Sequence, residues 1–234
     1  MLLALDTSGE HCLVCLGDDQ ELLVSYRFRA ERSHSASLLP MIREVLRRTG
    51  LSRQELSAIA ATCGPGSYTG LRIGLTAAAC LAYACSIPFY PVSTLDAHAW
   101  MYPDWQGILS PMLDARNRRI YTAAYHFRSM DGVPELVMDT EAQAIPLADW
   151  LHRLRQHAIS DRQLLLTGNA ARLYAADIRS GLQEVAHRVV LHQDSLQAEG
   201  LWRAALHAWR SSMPIDPRQA GAIQPIYLGQ AVKA

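Results

Sequence analysis

Lysine is almost missing from this chain: of its 22 basic residues only Lys233 is a lysine, and the rest are arginine. That excludes an interior catalytic lysine and the phosphate-binding lysine of a P-loop. Excess charge is missing too, with 22 acidic residues against 22 basic ones, so no net field draws the chain to nucleic acid or to an anionic membrane. No apolar run is long enough to span a bilayer. The opening MLLALDTSGEH has no basic segment and meets an aspartate at once, which predicts a cytoplasmic protein without a signal peptide. The five cysteines are an odd number for a disulfide framework and point to reduced thiols. Cys12 and Cys15 form a CxxC, yet they lie in the alternating run HCLVCLG, where strand residues three apart point to opposite faces. A redox pair or a zinc half-site needs a helix start or a tight turn instead.

What is present is mostly apolar. Half of the 234 residues are hydrophobic and 19% are charged, which suits two small domains with a core each. The runs LLALD, HCLVCLG and ELLVSYRFR, separated by turn clusters, predict a three-stranded meander. A helix follows, in which Leu38, Leu39, Ile42, Val45 and Leu46 recur at helical spacing behind serine caps, with Pro40 tolerable only near its start. SAIAATC reads as a buried strand, a second helix runs to about Cys85, FYPV is a strand, and Ser93 with Asp96 caps a third helix that stops before Pro103. The order is βββαβαβα. From Gln106 it starts again, with strands at ILSPMLDA, RIYTAAYHF, PELVM, QLLLTG and RVVLH, helices at PLADWLHRLRQHA, NAARLYAA and DSLQAEGLWRAALHAWR, and an extended tail. This predicts an α/β fold of two subdomains, residues 1–105 and 106–234. Asp6 in LALDTS and Asp114 in PMLDAR occupy matching places after the first strand of each half. A duplicated βββαβαβα unit with these aspartates resembles the actin-like superfamily of sugar kinases and chaperone ATPases (ASKHA, RNase H-like), in which two halves flank a nucleotide.

The glycine-rich stretch CGPGSYTGLRIG (63–74) has the look of a phosphate loop and fails both tests for one. A Walker loop needs GxxxxGK[ST], and no lysine precedes residue 233. A dinucleotide fingerprint needs GxGxxG and an acid about twenty residues on, but the glycines are Gly64, Gly66 and Gly70, and no Asp or Glu occurs between Glu55 and Asp96. Asp6, Thr7 and Ser8 are the remaining phosphate-loop candidates of the first half. In the second half Ala115 and Arg116 replace the glycine that the superfamily's kinases show, and TGNA (167–170) has one glycine where an adenosine loop has several. The nucleotide site reads as eroded, so no cofactor is expected.

Past the loop, Gly70, Gly74, Ala78 and Ala82 recur every fourth residue as a ridge without side chains beyond Cβ, which admits the close approach of another helix. Leu71, Ile73, Leu75, Ala77, Leu81 and Ala84 cover other sides, and Arg72 is the only charge from residue 56 to 95. Two readings fit: the helix is central to its own domain, or its small-residue face and the helix at 35–48 form an exposed docking surface.

LALDTSGEHCLVCL, ERSHSASLLPMI, CGPGSYTGLRIG, IPFYPVSTLDA, MLDARNRRIYTAAY and QPIYLG together are similar to the bacterial TsaB family over almost the whole chain. The resemblance implies a non-catalytic subunit in the synthesis of threonylcarbamoyladenosine beside the anticodon of transfer RNA. It implies a heterodimer with the paralogue TsaD, which carries the transferase site, and the ATPase TsaE reached through that complex. The threonylcarbamoyl-adenylate donor comes from TsaC. It leaves open a homodimer of the chain alone and implies that transfer RNA is met only through the complex. In TsaD two histidines four apart on a helix hold a metal; the matching positions here are Thr94 and His98, so one imidazole is missing and no metal site is expected. With the docking reading of the ridge, the resemblance makes His34, Leu38, Ile42, Gly70, Leu71, Gly74, Leu75, Ala78 and Ala82 the expected partner interface. The competing functions are an actin-like ATPase or kinase using Asp6 and Asp114, or a metallohydrolase. Direct transfer-RNA binding by Arg116, Arg118 and Arg119 is opposed by the zero net charge.

Overall fold

The computed structural model describes residues 1–29, 34–158, 162–216, 218–219, 223–226 and 228. They fall into two compact units, Met1–Met101 with Leu196–Ile226, and a second one containing Tyr102–Ser195.

In the first unit β1 (Leu2–Asp6), β2 (His11–Gly17) and β3 (Leu22–Arg29) form the expected meander, followed by α1 (His34–Thr49), β4 (Ala58–Gly64), α2 (Tyr68–Cys85), β5 (Phe89–Ser93) and α3 (Thr94–Ala99). The sheet order is β3-β2-β1-β4-β5, antiparallel within the meander and parallel from β1 to β5. Both faces of this sheet are covered. Leu3, Leu5, Cys12, Val14, Leu16, Ile59 and Ala61 share a core with α1 and α2. Their neighbours Leu2, Ala4, Leu13, Cys15 and Ala60 point the other way and are also buried. Cys12 and Cys15 thus lie on opposite faces, both as free thiols. Burial first, and the Asp6 charge second, pushes the Cys12 thiol up to about 12; burial likewise raises Cys15. Neither is a redox group.

One local feature departs from expectation. Pro40 lies in the interior of α1, beyond its first turn, where it stays exposed on the outer side. The serine that would precede His34 as a cap lies outside the described residues.

The second unit repeats the topology. Its elements are β6 (Ile108–Asp114), β7 (Arg119–Met130), β8 (Val133–Pro146), α4 (Leu147–Ala158), β9 (Leu164–Thr167), α5 (Asn169–Leu173), α6 (Ala175–Gly181) and β10 (Val189–Leu191). The sheet order is β10-β9-β6-β7-β8, so β6 stands where β1 stands in the first unit. Trp150 on α4 is fully buried in this core, its indole N–H donating to Ser110 Oγ at 2.9 Å.

The boundary at residue 105 does not hold for the end of the chain. The last helix, α7 (Ala198–Ser211), belongs to the first unit, where it packs on α3 and on β1, β2, β3 and β5. The reason is its apolar stripe: Leu201, Trp202, Ala204, Ala205 and Ala208 are buried and cover the sheet face opposite α1 and α2. Beyond it Ile215 bridges to Phe89 of β5, and the Ile226 N–H donates to the Cys63 carbonyl at 2.7 Å. Much of the tail expected to be extended lies outside the described residues.

Candidate functional site

The turn after β1 and the glycine-rich stretch before α2 meet in space, which brings the phosphate-loop candidates together with the loop that failed the phosphate tests. Asp6, Thr7 and Ser8 are all buried. Asp6 Oδ1 accepts from the Thr62 hydroxyl at 2.6 Å and from the Ser8 N–H at 3.0 Å. The Thr7 hydroxyl donates to the Gly70 carbonyl at 2.7 Å, and the Ser8 carbonyl accepts from the Ser67 N–H at 2.7 Å. Ser67 caps α2, its Oγ accepting from the Gly70 N–H at 3.2 Å. Glycine is required at the contact itself. A Cβ on Gly66 would stand 2.6 Å from the Ser8 carbonyl oxygen, and a Cβ on Gly70 or Gly74 would overlap the Thr7 carbonyl or hydroxyl oxygen.

Two donors of this turn, the Thr7 hydroxyl and the Ser8 N–H, already serve internal acceptors, and α2 packs directly against Thr7. Among the described residues no group of three His, Cys, Asp or Glu side chains could hold a metal ion.

The small-residue ridge is therefore an internal surface, and the expected interface needs correction. Gly70, Leu71, Gly74, Leu75, Ala78 and Ala82 are buried in their own unit, as are Leu38 and Ile42 of α1. Smallness at every fourth position serves the close approach of α2 to the β1 turn and to the sheet, not to a partner helix. Only His34 among the expected interface residues is half-exposed, with its Nδ1 buried and without a hydrogen-bond partner among the described residues. The outward face of α2 is a different set. Tyr68, Thr69, Arg72, Thr76, Cys80, Tyr83 and Ala84 are exposed, with Ile73, Ala77 and Leu81 half-buried beside them. Arg72 lies over the Tyr68 ring at 4.6 Å. The signal for this face was the absence of any other charge along the helix, which a purely internal helix does not distinguish from an external one.

On α3 the Thr94 hydroxyl and His98 Nδ1 are buried with no hydrogen-bond partner among the described residues. Burial lowers the His98 pKa to about 4, so it is a neutral core imidazole at neutral pH.

The turn after β6 is built unlike the one after β1. Asp114 Oδ1 accepts from the Tyr174 hydroxyl at 2.9 Å and from the Arg116 N–H at 3.0 Å, and the Asp114 N–H donates to Asn169 Oδ1 at 3.0 Å. After Ala115, three consecutive residues, Arg116, Asn117 and Arg118, all take left-handed backbone angles, with φ of 63°, 50° and 56°. For a residue with a Cβ this costs about 1 kcal/mol or more each. Arg118 bonds Asp177 Oδ1 at 2.7 Å, and Arg119 bonds the Ala144 carbonyl at 2.7 Å. Arg116 is exposed, and its guanidinium has no hydrogen-bond or ion-pair partner among the described residues.

Two units of one topology, each with an aspartate closing its first strand, define a duplicated α/β fold of the actin-like kind, with the turn after β1 packed directly against α2. Fold likeness extends to the ROK hexokinase of Thermus thermophilus, with a TM-score of 0.52 at 13% identity over 89% of this chain and 98% of that one. A closer likeness is to YeaZ from Pseudomonas aeruginosa, with a TM-score of 0.71 at 27% identity over 97% of this chain and 99% of that one. The family model for TsaD, tRNA N6-adenosine threonylcarbamoyltransferase, matches residues 28–199. The tRNA threonylcarbamoyladenosine biosynthesis protein TsaB of Bacillus subtilis is 34% identical over 173 residues, which are 74% of this chain and 72% of that protein. The chain belongs to the TsaB family.

Proposed function

We propose that this chain acts in tRNA threonylcarbamoyladenosine biosynthesis as a non-catalytic scaffold and activator that binds TsaD, working in the cytoplasm with TsaE reached through that complex. The observation that carries the reading is the outward face of α2. It runs over five turns with Arg72 as its single charge and presents Tyr68, Thr76, Cys80, Tyr83 and Ala84 to solvent. Beside it on α1, Leu39 is 55% exposed. A continuous helical face of this length with a single charge suits a protein partner. The filled turn at Asp6–Ser8 and the lone imidazole at His98 support a subunit that contributes surface while TsaD contributes chemistry. Against the ATPase, kinase or metallohydrolase alternative, two donors of the β1 turn, the Thr7 hydroxyl and the Ser8 N–H, are already taken by internal acceptors.

Two substitutions two residues apart test the docking face. Thr76→Arg puts a long charge on the exposed side and should leave the fold intact while weakening association with TsaD at least about tenfold, since an unpaired interfacial charge costs more than ~1.4 kcal/mol. Ala78→Arg puts the same charge into the core of the first unit and should prevent that unit from folding. Size-exclusion chromatography with TsaD and circular dichroism of each variant separate the outcomes. A wild-type chain that does not associate with TsaD, or a folded Thr76→Arg protein with native affinity, would overturn the proposal.

A further inference from the structure

We infer that Arg116, at the apex of the β6–β7 turn, is a contact point for a phosphodiester group of RNA, an inference that rests on the proposed role in transfer-RNA modification. Left-handed backbone is a conformation that glycine adopts without strain and that Asn tolerates better than most residues. Three consecutive residues hold it here, and none is glycine. Asn117 needs no further account. Arg118 is held by its bond to Asp177 at 2.7 Å. Arg116 has neither a small side chain nor, among the described residues, an acceptor for its guanidinium, although Asp114 is two residues away and bonds its backbone N–H at 3.0 Å. The fold asks only for that backbone conformation at this position, and glycine would meet it better. An exposed arginine on strained backbone, with no acceptor for its guanidinium among the described residues, is placed to meet an acceptor outside the unit.

The turn's own hydrogen bonds indicate which acceptor. The Ala115 N–H donates to the Arg119 carbonyl at 3.0 Å, the Arg119 N–H to the Arg116 carbonyl at 2.9 Å, and the Arg116 N–H to Asp114. With these three N–H groups used internally, the turn has few backbone donors left for the phosphate chain of a nucleotide, which needs several at once. It offers one planar guanidinium on a long side chain, the kind of group that positions a polynucleotide by a single phosphate without reading its sequence. The zero net charge of the chain is compatible with one such contact and not with a broad electrostatic footprint.

The test uses the full chain, a fluorescein-labelled transfer-RNA anticodon stem-loop as probe, and fluorescence anisotropy over a salt series. Arg116→Gly should weaken binding several-fold and lower the slope of log affinity against log salt by about 0.9, the loss of one phosphate contact. The same variant should melt at a higher temperature than the wild type, because glycine relieves the left-handed strain. Arg116→Lys should keep most of the RNA affinity. A wild-type chain without salt-dependent RNA binding, a glycine variant with unchanged affinity and slope, or a variant that loses only affinity for magnesium ATP would each overturn the inference. Association of the same variants with TsaD is measured in parallel: intact association with unchanged RNA binding sinks the Arg116 contact alone, whereas no association of the wild type sinks the function it rests on.

Discussion

Replacing Gly74 by alanine should destabilise the protein, against the usual sign for this substitution. In the interior of an ordinary helix Gly→Ala gains about 1 kcal/mol in helix propensity. Here the new Cβ would overlap Thr7 Oγ1, the hydroxyl that donates to the Gly70 carbonyl at 2.7 Å. Overpacking costs roughly 1–3 kcal/mol and a displaced hydrogen bond about 1 kcal/mol more. After the propensity gain, the net loss is about 1–3 kcal/mol, which lowers the melting temperature by roughly 2–12 °C in a chain of this size. Thr7→Ala supplies the control. It removes the hydroxyl and leaves the Thr7 Cβ 3.5 Å from the position of the new methyl group, an ordinary contact. Thr7→Ala alone should cost about 1–2 kcal/mol, and the double variant should be more stable than the sum of the two by about 2–4 kcal/mol. Calorimetric melts of the four proteins measure the cycle. A Gly74→Ala protein that melts at or above the wild type, or a cycle that is additive, would refute the packing of α2 against the β1 turn.

Protonation of His98 should weaken the fold in acid. Its folded-state pKa of about 4 lies below the unfolded 6.5, so the unfolded chain binds the proton more tightly, and stability falls as pH drops from about 6.5 to about 4, by about 3 kcal/mol in all. Urea melts across that window should show a steeper acid loss for the wild type than for His98→Leu, and parallel curves would contradict the assignment. Asp6→Asn keeps the Oδ1 acceptor for Thr62 and Ser8 and should be nearly neutral, whereas Asp6→Ala leaves both donors unpaired in a buried turn, at a cost of roughly 2–4 kcal/mol. Complementation in cells lacking the native gene, at matched expression, gives the functional readout: a folded Asp6→Asn protein that fails to support transfer-RNA modification would favour an enzymatic role for the carboxylate.

Much of the fold was legible because its signals are local. The alternation in HCLVCLG, the serine at the start of α3 and the repeated order of strands and helices each depend on a few neighbouring residues. The destination of α7 was not legible, since its apolar stripe says that it must be covered and not by which sheet. The ridge on α2 was misassigned for a related reason. Gly70, Gly74, Ala78 and Ala82 announce a close approach, but what approaches the two glycines is Thr7, more than sixty residues earlier, and Ala78 and Ala82 lie in the unit's own core, which nothing in the spacing distinguishes from a helix of another protein. At the β1 turn the residue types were read correctly as phosphate-loop candidates. Their hydrogen bonds to Thr62 of β4 and Gly70 of α2, which weigh against that role, are contacts over more than fifty residues. The strained backbone at Arg116 had no signal at all in a stretch that reads as an ordinary solvated turn.

The return of α7 to the first unit also bears on how the protein is made. The sheet formed by the first 101 residues lacks the helix that covers one of its faces until residues from 196 onward are available. At roughly 5–20 residues per second, a ribosome needs about 5–20 s to synthesise the intervening stretch. Throughout that interval Leu2, Ala4, Leu13 and Cys15 are without the α7 side chains that bury them in the finished molecule. The nascent chain must therefore wait, with that face open to chaperones or to misassembly, while an entire second unit emerges and folds. Residues 1–105 released by themselves would be caught permanently at this stage.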